Sequence, residues 1–317
     1  MPNELGTQPN KQGAVVVGDA LVDKQYWVKC MPQPGEDVPI LSARSHTGGS
    51  AMNTAMALGF LDTPVSFAGR IGSDDDGRGL IQTMETAGVD TSCVLAEGQT
   101  GYTLAMIDET GERTMFSSRG ASAQPLVLTA KLKLALYNAR VLMLSGYLLQ
   151  NEEQASFALE AAKAVKTAGG IVAFDPSPVV GSVDQKTLRD MLAQTDMLLP
   201  NLAELEAMAG TGDIVRAVGA LKAPCIALKR GGAGAQLALR KHFILADGKP
   251  AGLNAMHTAA PIPTEVVDTT GAGDAFNAGV LASYLRGEKP ESWIVRGNAL
   301  AARVIAREGA STLYSEK

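Results

Sequence analysis

Residues 268–280 read DTTGAGDAFNAGV, in which two glycines flank an alanine, an aspartate follows at once, and apolar residues then recur at helical spacing. Such a turn exposes backbone N–H groups at the start of a helix, where the positive end of the helix dipole also attracts anions. In parallel α/β folds, junctions of this kind lie beyond the carboxyl ends of strands. The stretch therefore predicts an α/β fold. It leaves open whether Asp274, which an anion site repels, has a chemical role or only caps the helix.

Apolar segments typical of buried strands alternate with segments of helical periodicity along most of the chain. The strand-like segments are AVVVG at 14–18, VSFAG at 65–69, RVLMLSG at 140–146, IVAFDP at 171–176, DMLLPN at 196–201 and CIALKRGGAG at 225–234. Helical patterns lie between them, for example at 48–59, 77–88 and 152–170. Strands that are apolar on both sides are typical of a parallel sheet covered by helices on both faces. We therefore expect a three-layer αβα fold with a mostly parallel central sheet.

The alternation of strands and helices is interrupted within the first 120 residues. Residues 100–118, TGYTLAMIDETGERTMFSS, alternate in polarity on both sides of a polar turn, as an antiparallel hairpin does. We expect segments at roughly 20–47 and 99–119 to form a small second β-sheet, or lid, inserted into one domain over 13–317. Residues 1–12 are polar and are predicted to form a mobile tail.

The composition argues against several classes of protein. The 317 residues are 46% apolar and 19% charged, which supports a large core, and the net charge of −5 argues against a broad nucleic-acid surface. No apolar run reaches about 18 residues, so no membrane span is expected. The start of the chain lacks an apolar signal segment, which suggests a cytoplasmic protein. Cys30, Cys93 and Cys225 form no CxxC pair, so we expect three buried, reduced thiols.

Two further motifs carry side chains suited to hydroxyl groups. Gly48 and Gly49 open the helical segment GGSAMNTA, which places Asn53 in its first turns, and Asp19 and Asp23 follow the first strand. Carboxylates just beyond a buried strand can accept hydrogen bonds from sugar hydroxyls. Each motif is also compatible with an ordinary helix start or a loop aspartate.

Two other motifs suit a nucleotide. Asn201 and Glu204 in PNLAELE are spaced to share one helix face, where they could order waters around Mg²⁺ or form a simple capping box. In KRGGAG, Lys229 precedes a glycine-rich loop at the end of a predicted strand. Glycines beside a cation suit phosphates, although the same pattern fits a tight turn into the next strand.

In this order and spacing, the motifs resemble the ribokinase-like (PfkB) family of carbohydrate kinases over about residues 14–313. DTTGAGDAFNAGV resembles the C-terminal signature, GGSAMNTA with GRIGSDDDGRGL the N-terminal signature, and PNLAELE the Asn-x-x-Glu segment. The resemblance implies an enzyme that transfers the γ-phosphoryl group of ATP to a hydroxymethyl group of a sugar. It also implies Mg²⁺ and, as in several members, K⁺.

The resemblance assigns roles to individual residues. Asp274 is the implied catalytic base, and Gly271, Ala272 and Gly273 form the implied anion hole. The implied sugar-binding positions are Asp19, Asp23, Gly48, Gly49 and Asn53. The implied nucleotide and metal positions are Asn201, Lys229, Gly231, Gly234 and Asn298, with Glu204 binding Mg²⁺ through water and Asp268 and Thr270 binding a monovalent cation. The carbonyls of Arg307 and Gly309 complete that cation site by resemblance, and Lys229 stands where the family frequently has threonine.

The substrate stays open at this stage. Gly146 stands where ribokinase carries a glutamate, which argues against ribose. Arg119 corresponds to an arginine that recognises an acidic sugar in 2-keto-3-deoxygluconate kinases, or it is a solvated hairpin residue. Fructose, an acidic keto-sugar and a nucleoside are therefore all candidates. Lid sheets in this family often pair, which suggests a homodimer through the lid.

Two other classes of function compete with a sugar kinase. A dinucleotide-dependent oxidoreductase would need GxGxxG after the first strand, where this chain has GDALVD. A catalytically silent sugar-binding relative would keep the fold and lose the base or the magnesium pair, all of which this chain retains.

Overall fold

The computed structural model describes residue 11 and residues 13–316. The strands are β1 (Ala14–Val17), β2 (Leu21–Val28), β3 (Ile40–Gly48), β4 (Val65–Ala68), β5 (Arg70–Ile71), β6 (Leu95–Ala96), β7 (Gly101–Ile107), β8 (Arg113–Ser118), β9 (Val141–Ser145), β10 (Ile171–Asp175), β11 (Met197–Leu198), β12 (Cys225–Lys229), β13 (Ala235–Leu239) and β14 (Ala255–Ala259). The helices are α1 (Ser50–Phe60), α2 (Asp75–Thr86), α3 (Ala130–Asn138), α4 (Glu152–Thr167), α5 (Gln185–Gln194), α6 (Leu202–Ala209), α7 (Ile214–Ala220), α8 (Ala272–Leu285) and α9 (Pro290–Ile305). These elements confirm the predicted alternation of strands and helices.

The central sheet has eight strands in the order β14-β13-β12-β11-β10-β9-β1-β4. The six neighbouring strands β4, β1, β9, β10, β11 and β12 pair in parallel. Strands β13 and β14 add an antiparallel edge next to β12. β11 is shorter than the predicted strand at 196–201, although Asn201, which caps α6, still forms an isolated parallel bridge with Lys229 of β12. The parallel strands bring their carboxyl ends to one edge of the sheet, where ligands bind in folds of this kind.

Helices cover both faces of the central sheet, as predicted. One apolar core lies under α1, α2, α8 and α9, and the other lies under α3 to α7. Residues 275–284 of α8 are buried on all sides, because this helix packs against both α1 and α9. The rigid burial of α8 fixes the position of the glycine turn at its start.

A second sheet has the strand order β3-β2-β7-β8. β7 and β8 pair antiparallel, which confirms the hairpin predicted for residues 100–118. Asp74 ties this sheet to α2, because its carboxylate accepts hydrogen bonds from the backbone N–H groups of Gly77 at 2.9 Å and Thr100 at 2.8 Å. The function of this sheet as a lid, and its pairing with a second copy, stay predictions.

Some local expectations need correction. Cys93 and Cys225 are buried, but Cys30 is exposed because it follows β2 in the second sheet, outside the core. Pro290 occupies the first turn of α9, where its missing N–H costs nothing. The tail predicted over 1–12 lies outside the described residues except for residue 11. None of the helices in the described part of the chain is long and apolar enough to cross a membrane.

Candidate active site

Two cavities meet at Asp274 beside the carboxyl ends of the central strands. The first, of about 420 Å³, is lined by residues of the β12 loop and α6 and by Asn298; we call it the nucleotide cavity. The second, of about 510 Å³, lies against the second sheet; we call it the acceptor cavity. Ser50, Tyr147, Gly271 and Asp274 line both cavities. Both volumes lie in the range of small-molecule sites.

Asp274 is held by α1 rather than by its own helix. Its carboxylate accepts hydrogen bonds from Ser50 Oγ at 2.7 Å and Asn53 Nδ2 at 3.0 Å, and no side chain caps α8. The capping interpretation of Asp274 therefore does not describe its contacts. Burial raises the pKa of Asp274 to about 7, and the nearby charge of Asp175 reinforces this rise. The hydrogen bonds from Ser50 and Asn53 oppose it. A carboxylate with such a pKa is a better proton acceptor near neutral pH than an ordinary aspartate.

The glycine turn beside Asp274 depends on two glycines for different reasons. Gly271 has φ of 76°, and a Cβ at this position would lie 2.5 Å from Cβ of Ala310, so a side chain is excluded by both conformation and space. Gly273 lies inside the first turn of α8, and its nearest non-local atom is Nζ of Lys229, 3.6 Å from the ideal Cβ position. Gly271, Ala272 and Gly273 all line the nucleotide cavity, so the backbone of the turn borders it with no side chain larger than a methyl group.

Two residues that line the acceptor cavity each have a buried oxygen atom without a hydrogen-bond partner among the described residues. The atoms are Oδ1 of Asp19 and Oδ1 of Asn53, and each of these residues is only 4% exposed. Buried polar atoms in proteins almost always have a partner. The cavity is therefore suited to a ligand with hydroxyl groups.

Arg119 reaches the acceptor cavity from the end of the second sheet. Its Nη1 lies 3.4 Å from Oδ2 of Asp19, and its guanidinium carbon lies 4.3 Å from the centre of the Tyr147 ring. Arg119 is therefore a cavity residue and not a solvated hairpin residue. Its charge is already partly compensated by Asp19.

Asp23 lines the acceptor cavity together with Gly49. Burial raises the pKa of Asp23 to about 6, although a hydrogen bond with the Thr103 side chain opposes this rise. Gly48 does not line either cavity. A Cβ on Gly48 would lie 2.3 Å from Oδ2 of Asp23, so this glycine makes room for the carboxylate.

The predicted nucleotide residues come together in the nucleotide cavity. Asn201, Glu204, Lys229, Gly231, Gly234 and Asn298 all line it. Asn201 and Glu204 form the capping box that the sequence also allowed, with three hydrogen bonds of 2.8 Å between them. Burial raises the pKa of Glu204, while the Lys229 charge opposes and the Asp175 charge reinforces that rise. Capping and cavity lining are therefore compatible in this pair.

Lys229 takes part in a buried polar cluster. Its Nζ lies 2.9 Å from Oδ2 of Asp175 and 3.3 Å from Oδ1 of Asn277, which also donates a hydrogen bond to Asp175. Burial alone lowers the pKa of Lys229, but the charges of Asp175 and Glu204 outweigh it and hold this pKa above its usual value. Lys229 is therefore a permanent cation in the nucleotide cavity.

The predicted monovalent-cation loop has a compact structure. Asp268 accepts hydrogen bonds from Thr270 N at 3.0 Å, Thr270 Oγ1 at 2.7 Å and Gly309 N at 3.1 Å. Burial opposes ionisation of Asp268, but these hydrogen bonds outweigh it and lower the pKa. Thr270 lines the acceptor cavity and Asp268 lines neither cavity. Binding of a cation at this loop stays a prediction.

Ser50, Tyr147, Asp175 and Asn277 also contribute to this site and were not predicted from the sequence. Asp175 follows the same rule as Asp19, because it is a carboxylate at the carboxyl end of a buried parallel strand, and this signal could have identified it. Asn277 lies one helical turn beyond Gly273. Ser50 and Tyr147 have no distinguishing local pattern, because their function depends on contacts across the fold.

Known proteins share the sequence pattern and the fold of this chain. The model of the pfkB family carbohydrate kinases matches residues 11–317. Fructokinase of Klebsiella pneumoniae is 32% identical over 282 residues, covering 84% of this chain and 82% of the relative. ATP-dependent ribose-1-phosphate kinase of Halopiger xanaduensis is 30% identical over 285 residues, covering 88% and 87%. The structure of Arabidopsis thaliana ribokinase complexed with ribose and ATP superposes with a TM-score of 0.80 at 25% identity and 94% coverage of both chains. The chain therefore belongs to the pfkB family of carbohydrate kinases, and its fold is ribokinase-like.

Proposed function

We propose that this chain transfers the γ-phosphoryl group of ATP to a hydroxymethyl group of a small carbohydrate. The observation that carries the proposal is that Asp274 and Gly271 line both the nucleotide cavity and the acceptor cavity. A hydroxyl in one cavity and a phosphate in the other would then approach each other beside one carboxylate and one row of backbone N–H groups. Phosphoryl transfer depends mainly on such positioning and on stabilisation of charge.

The residues divide the chemistry between them. Asp274 accepts the proton of the attacking hydroxyl, for which a positioned base typically contributes about 10²–10⁴-fold. The glycine turn at residues 271–273 stabilises the charge that develops on the migrating phosphoryl group, with the N–H groups of Gly271 and Gly273 as its donors. The carboxylate and the anion hole therefore act on opposite sides of the reacting centre, which explains why they can be neighbours.

The nucleotide cavity also has a residue suited to Mg²⁺. This ion usually retains water ligands and binds through one or two carboxylates together with substrate phosphates. Glu204 lines the cavity, and Asn201 fixes both of its oxygen atoms in place. When bound, Mg²⁺ would neutralise phosphate charge.

The acceptor is a polyhydroxy compound, because the polar side chains of Asp19, Asp23, Asn53, Thr103 and Ser117 line its cavity. We test the proposal by measuring ADP release with ribose, fructose, tagatose, 2-keto-3-deoxygluconate and nucleosides, each with and without K⁺. At least one carbohydrate should raise ADP release far above the rate without acceptor. Thermal stabilisation by a sugar without ADP release would instead favour a silent sugar-binding protein.

Asp23 should control affinity for the acceptor. Asp23→Asn replaces a charged carboxylate with a neutral amide. A hydrogen bond from a hydroxyl to the charged group contributes about 10- to 100-fold in binding affinity, and the variant weakens it. We expect the KM for the sugar to rise by about that factor, with kcat and the KM for ATP nearly unchanged. Steady-state kinetics with both substrates varied will check this. An unchanged sugar KM would remove Asp23 from the acceptor site.

Arg119 should discriminate between acidic and neutral acceptors. A guanidinium can bind a carboxylate through two parallel hydrogen bonds, which lysine cannot reproduce. We therefore expect Arg119→Ala and Arg119→Lys to lower kcat/KM for acidic sugars about tenfold or more. The value for neutral sugars should fall less. The measurement is kcat/KM for a matched pair, a sugar acid and its neutral analogue. Equal losses for both would show that Arg119 serves mainly to pair with Asp19.

A further inference from the structure

Lys229 occupies an unusual position for a lysine. It is the last residue of β12, its side chain is 13% exposed, and the side chain of its partner Asp175 is 6% exposed. An ion pair that is removed from water in this way gives little net stability, because the cost of desolvation offsets the attraction. The stability of the fold therefore gives little reason for a lysine at this position.

The ammonium group of Lys229 lies next to the glycine turn. Nζ lies 3.6 Å from the ideal Cβ position of Gly273, so it is adjacent to the glycine turn. Arg230 also lines the nucleotide cavity, whereas this contact with the turn belongs to Lys229. The ammonium group therefore lies beside the glycine turn, and Lys229 and the turn line the same cavity.

The hydrogen bonds of Lys229 leave one donor available. An ammonium group has three N–H donors. Among the described residues, Oδ2 of Asp175 and Oδ1 of Asn277 accept from Nζ, at 2.9 Å and 3.3 Å. Two donors therefore hold the ammonium group in place, and the third can bind a phosphate oxygen.

We propose that Lys229 is a further catalytic residue, whose ammonium group stabilises the migrating phosphoryl group at the glycine turn, and that Asp175 and Asn277 are its positioning residues. The inference rests on the proposed kinase function. In the reaction, the bond between the γ-phosphorus and the bridging oxygen of ATP breaks, and a bond from the acceptor oxygen to that phosphorus forms. The acceptor proton goes to Asp274 and ADP leaves. Lys229 stays protonated throughout and forms no covalent bond.

The first test is binding of nucleotides with different numbers of phosphates. Lys229→Met should weaken binding of the non-hydrolysable analogue AMP-PNP by about 10- to 100-fold. Binding of ADP should be weakened less, and binding of AMP should hardly change. Isothermal titration calorimetry with Mg²⁺ in every titration will measure this. Lys166→Met is the matched control, because Lys166 forms a comparable 2.9 Å ion pair with Asp196 outside both cavities.

Kinetics separate the catalytic residue from its positioning partner. Lys229→Met should lower kcat by about 10²-fold, the usual effect of removing a donor from a developing anion. Asp175→Asn keeps the size of the side chain and leaves Lys229 in place, but it weakens the hydrogen bond that positions the ammonium group. We therefore expect kcat to fall about tenfold, while AMP-PNP binding is not weakened. A purely structural role of Asp175 would instead lower the melting temperature with kcat unchanged.

A double variant keeps the test valid if Lys229→Met folds poorly. Asp175→Asn with Lys229→Met removes both charges, so no unpaired charge is buried, and it should bind AMP-PNP as weakly as Lys229→Met alone. Equal binding of AMP-PNP by the wild type and this double variant would overturn the inference, while ADP release by the wild type would still support the kinase function. A wild type that neither binds AMP-PNP nor releases ADP would reject the proposed function itself.

Discussion

Asp274→Asn should lower kcat by about 10²–10⁴-fold, because the amide cannot accept the proton of the attacking hydroxyl. Ser50 Oγ and Asn53 Nδ2 now donate to the carboxylate, and the amide oxygen of asparagine can accept one of these hydrogen bonds. The cavity should therefore keep its shape, and the Kd for ATP should be nearly unchanged. Rapid-quench and steady-state kinetics measure kcat, and calorimetry measures the Kd. A variant that retains the wild-type kcat would show that Asp274 is not the base.

The pH dependence of the wild type follows from the same residue. The pKa of Asp274 is raised to about 7, mainly by burial, so the carboxylate is protonated and inactive below this pH. We expect kcat/KM to rise with pH through about 7 and then to level off. Ser50→Ala removes a hydrogen bond that lowers the pKa, so its profile should shift to higher pH. A flat profile between pH 5 and 8 would contradict the role of Asp274.

The raised pKa also has a consequence for stability. Between the unfolded pKa of 3.8 and the folded pKa of about 7, the folded state binds more protons than the unfolded state. The contribution of Asp274 to stability is thus largest below pH 3.8 and falls as pH rises to about 7. Asp274→Asn should therefore gain stability relative to the wild type at pH 8, by about 1–2 kcal/mol, and less at pH 5. Urea unfolding at both pH values will measure the difference.

Gly273→Ala should also have a large effect, because it should lower kcat while raising the free energy of unfolding. Gly273 lines the nucleotide cavity, and its added methyl group would lie 3.6 Å from Nζ of Lys229. We expect kcat to fall by about 10²-fold, because the methyl group occupies space that a phosphoryl oxygen needs. Alanine is the better helix former, so the free energy of unfolding should rise by about 0.5–1 kcal/mol.

Two other glycines provide controls for this prediction. Gly219→Ala in α7 has nothing within 4 Å of the added Cβ, so it should stabilise the protein and leave kcat unchanged. Gly271→Ala should lose both stability and activity, because Gly271 has φ of 76° and its added Cβ would lie 2.5 Å from Cβ of Ala310. If Gly273→Ala retained full activity, the glycine turn would not be the anion hole.

Patterns that lie close together in the chain predicted most of the fold. Alternating apolar strands and periodic helices identified the three-layer architecture, and the polarity of residues 100–118 identified the hairpin. The same local patterns predicted the glycine turn and the Asn201–Glu204 pair, whose capping box forms within one helical turn. These features depend on interactions between residues a few positions apart, which the sequence displays directly.

The relationships between distant residues could not be predicted in this way. Ser50 and Asp274 are 224 positions apart and meet at 2.7 Å, because α1 and α8 pack on the same face of the sheet. Gly48 makes room for Asp23 and lines neither cavity, which no local pattern indicates.

The sequence by itself therefore determined the fold class, the carboxylate at the head of α8 and the loops that flank it. Only the tertiary structure decided that Asp175 holds Lys229 beside Gly273 and that Asp274 lines both cavities. The physical reason is that periodicity and turn chemistry are local, whereas burial, a raised pKa and the meeting of two cavities arise when strands distant in the chain become neighbours in one sheet.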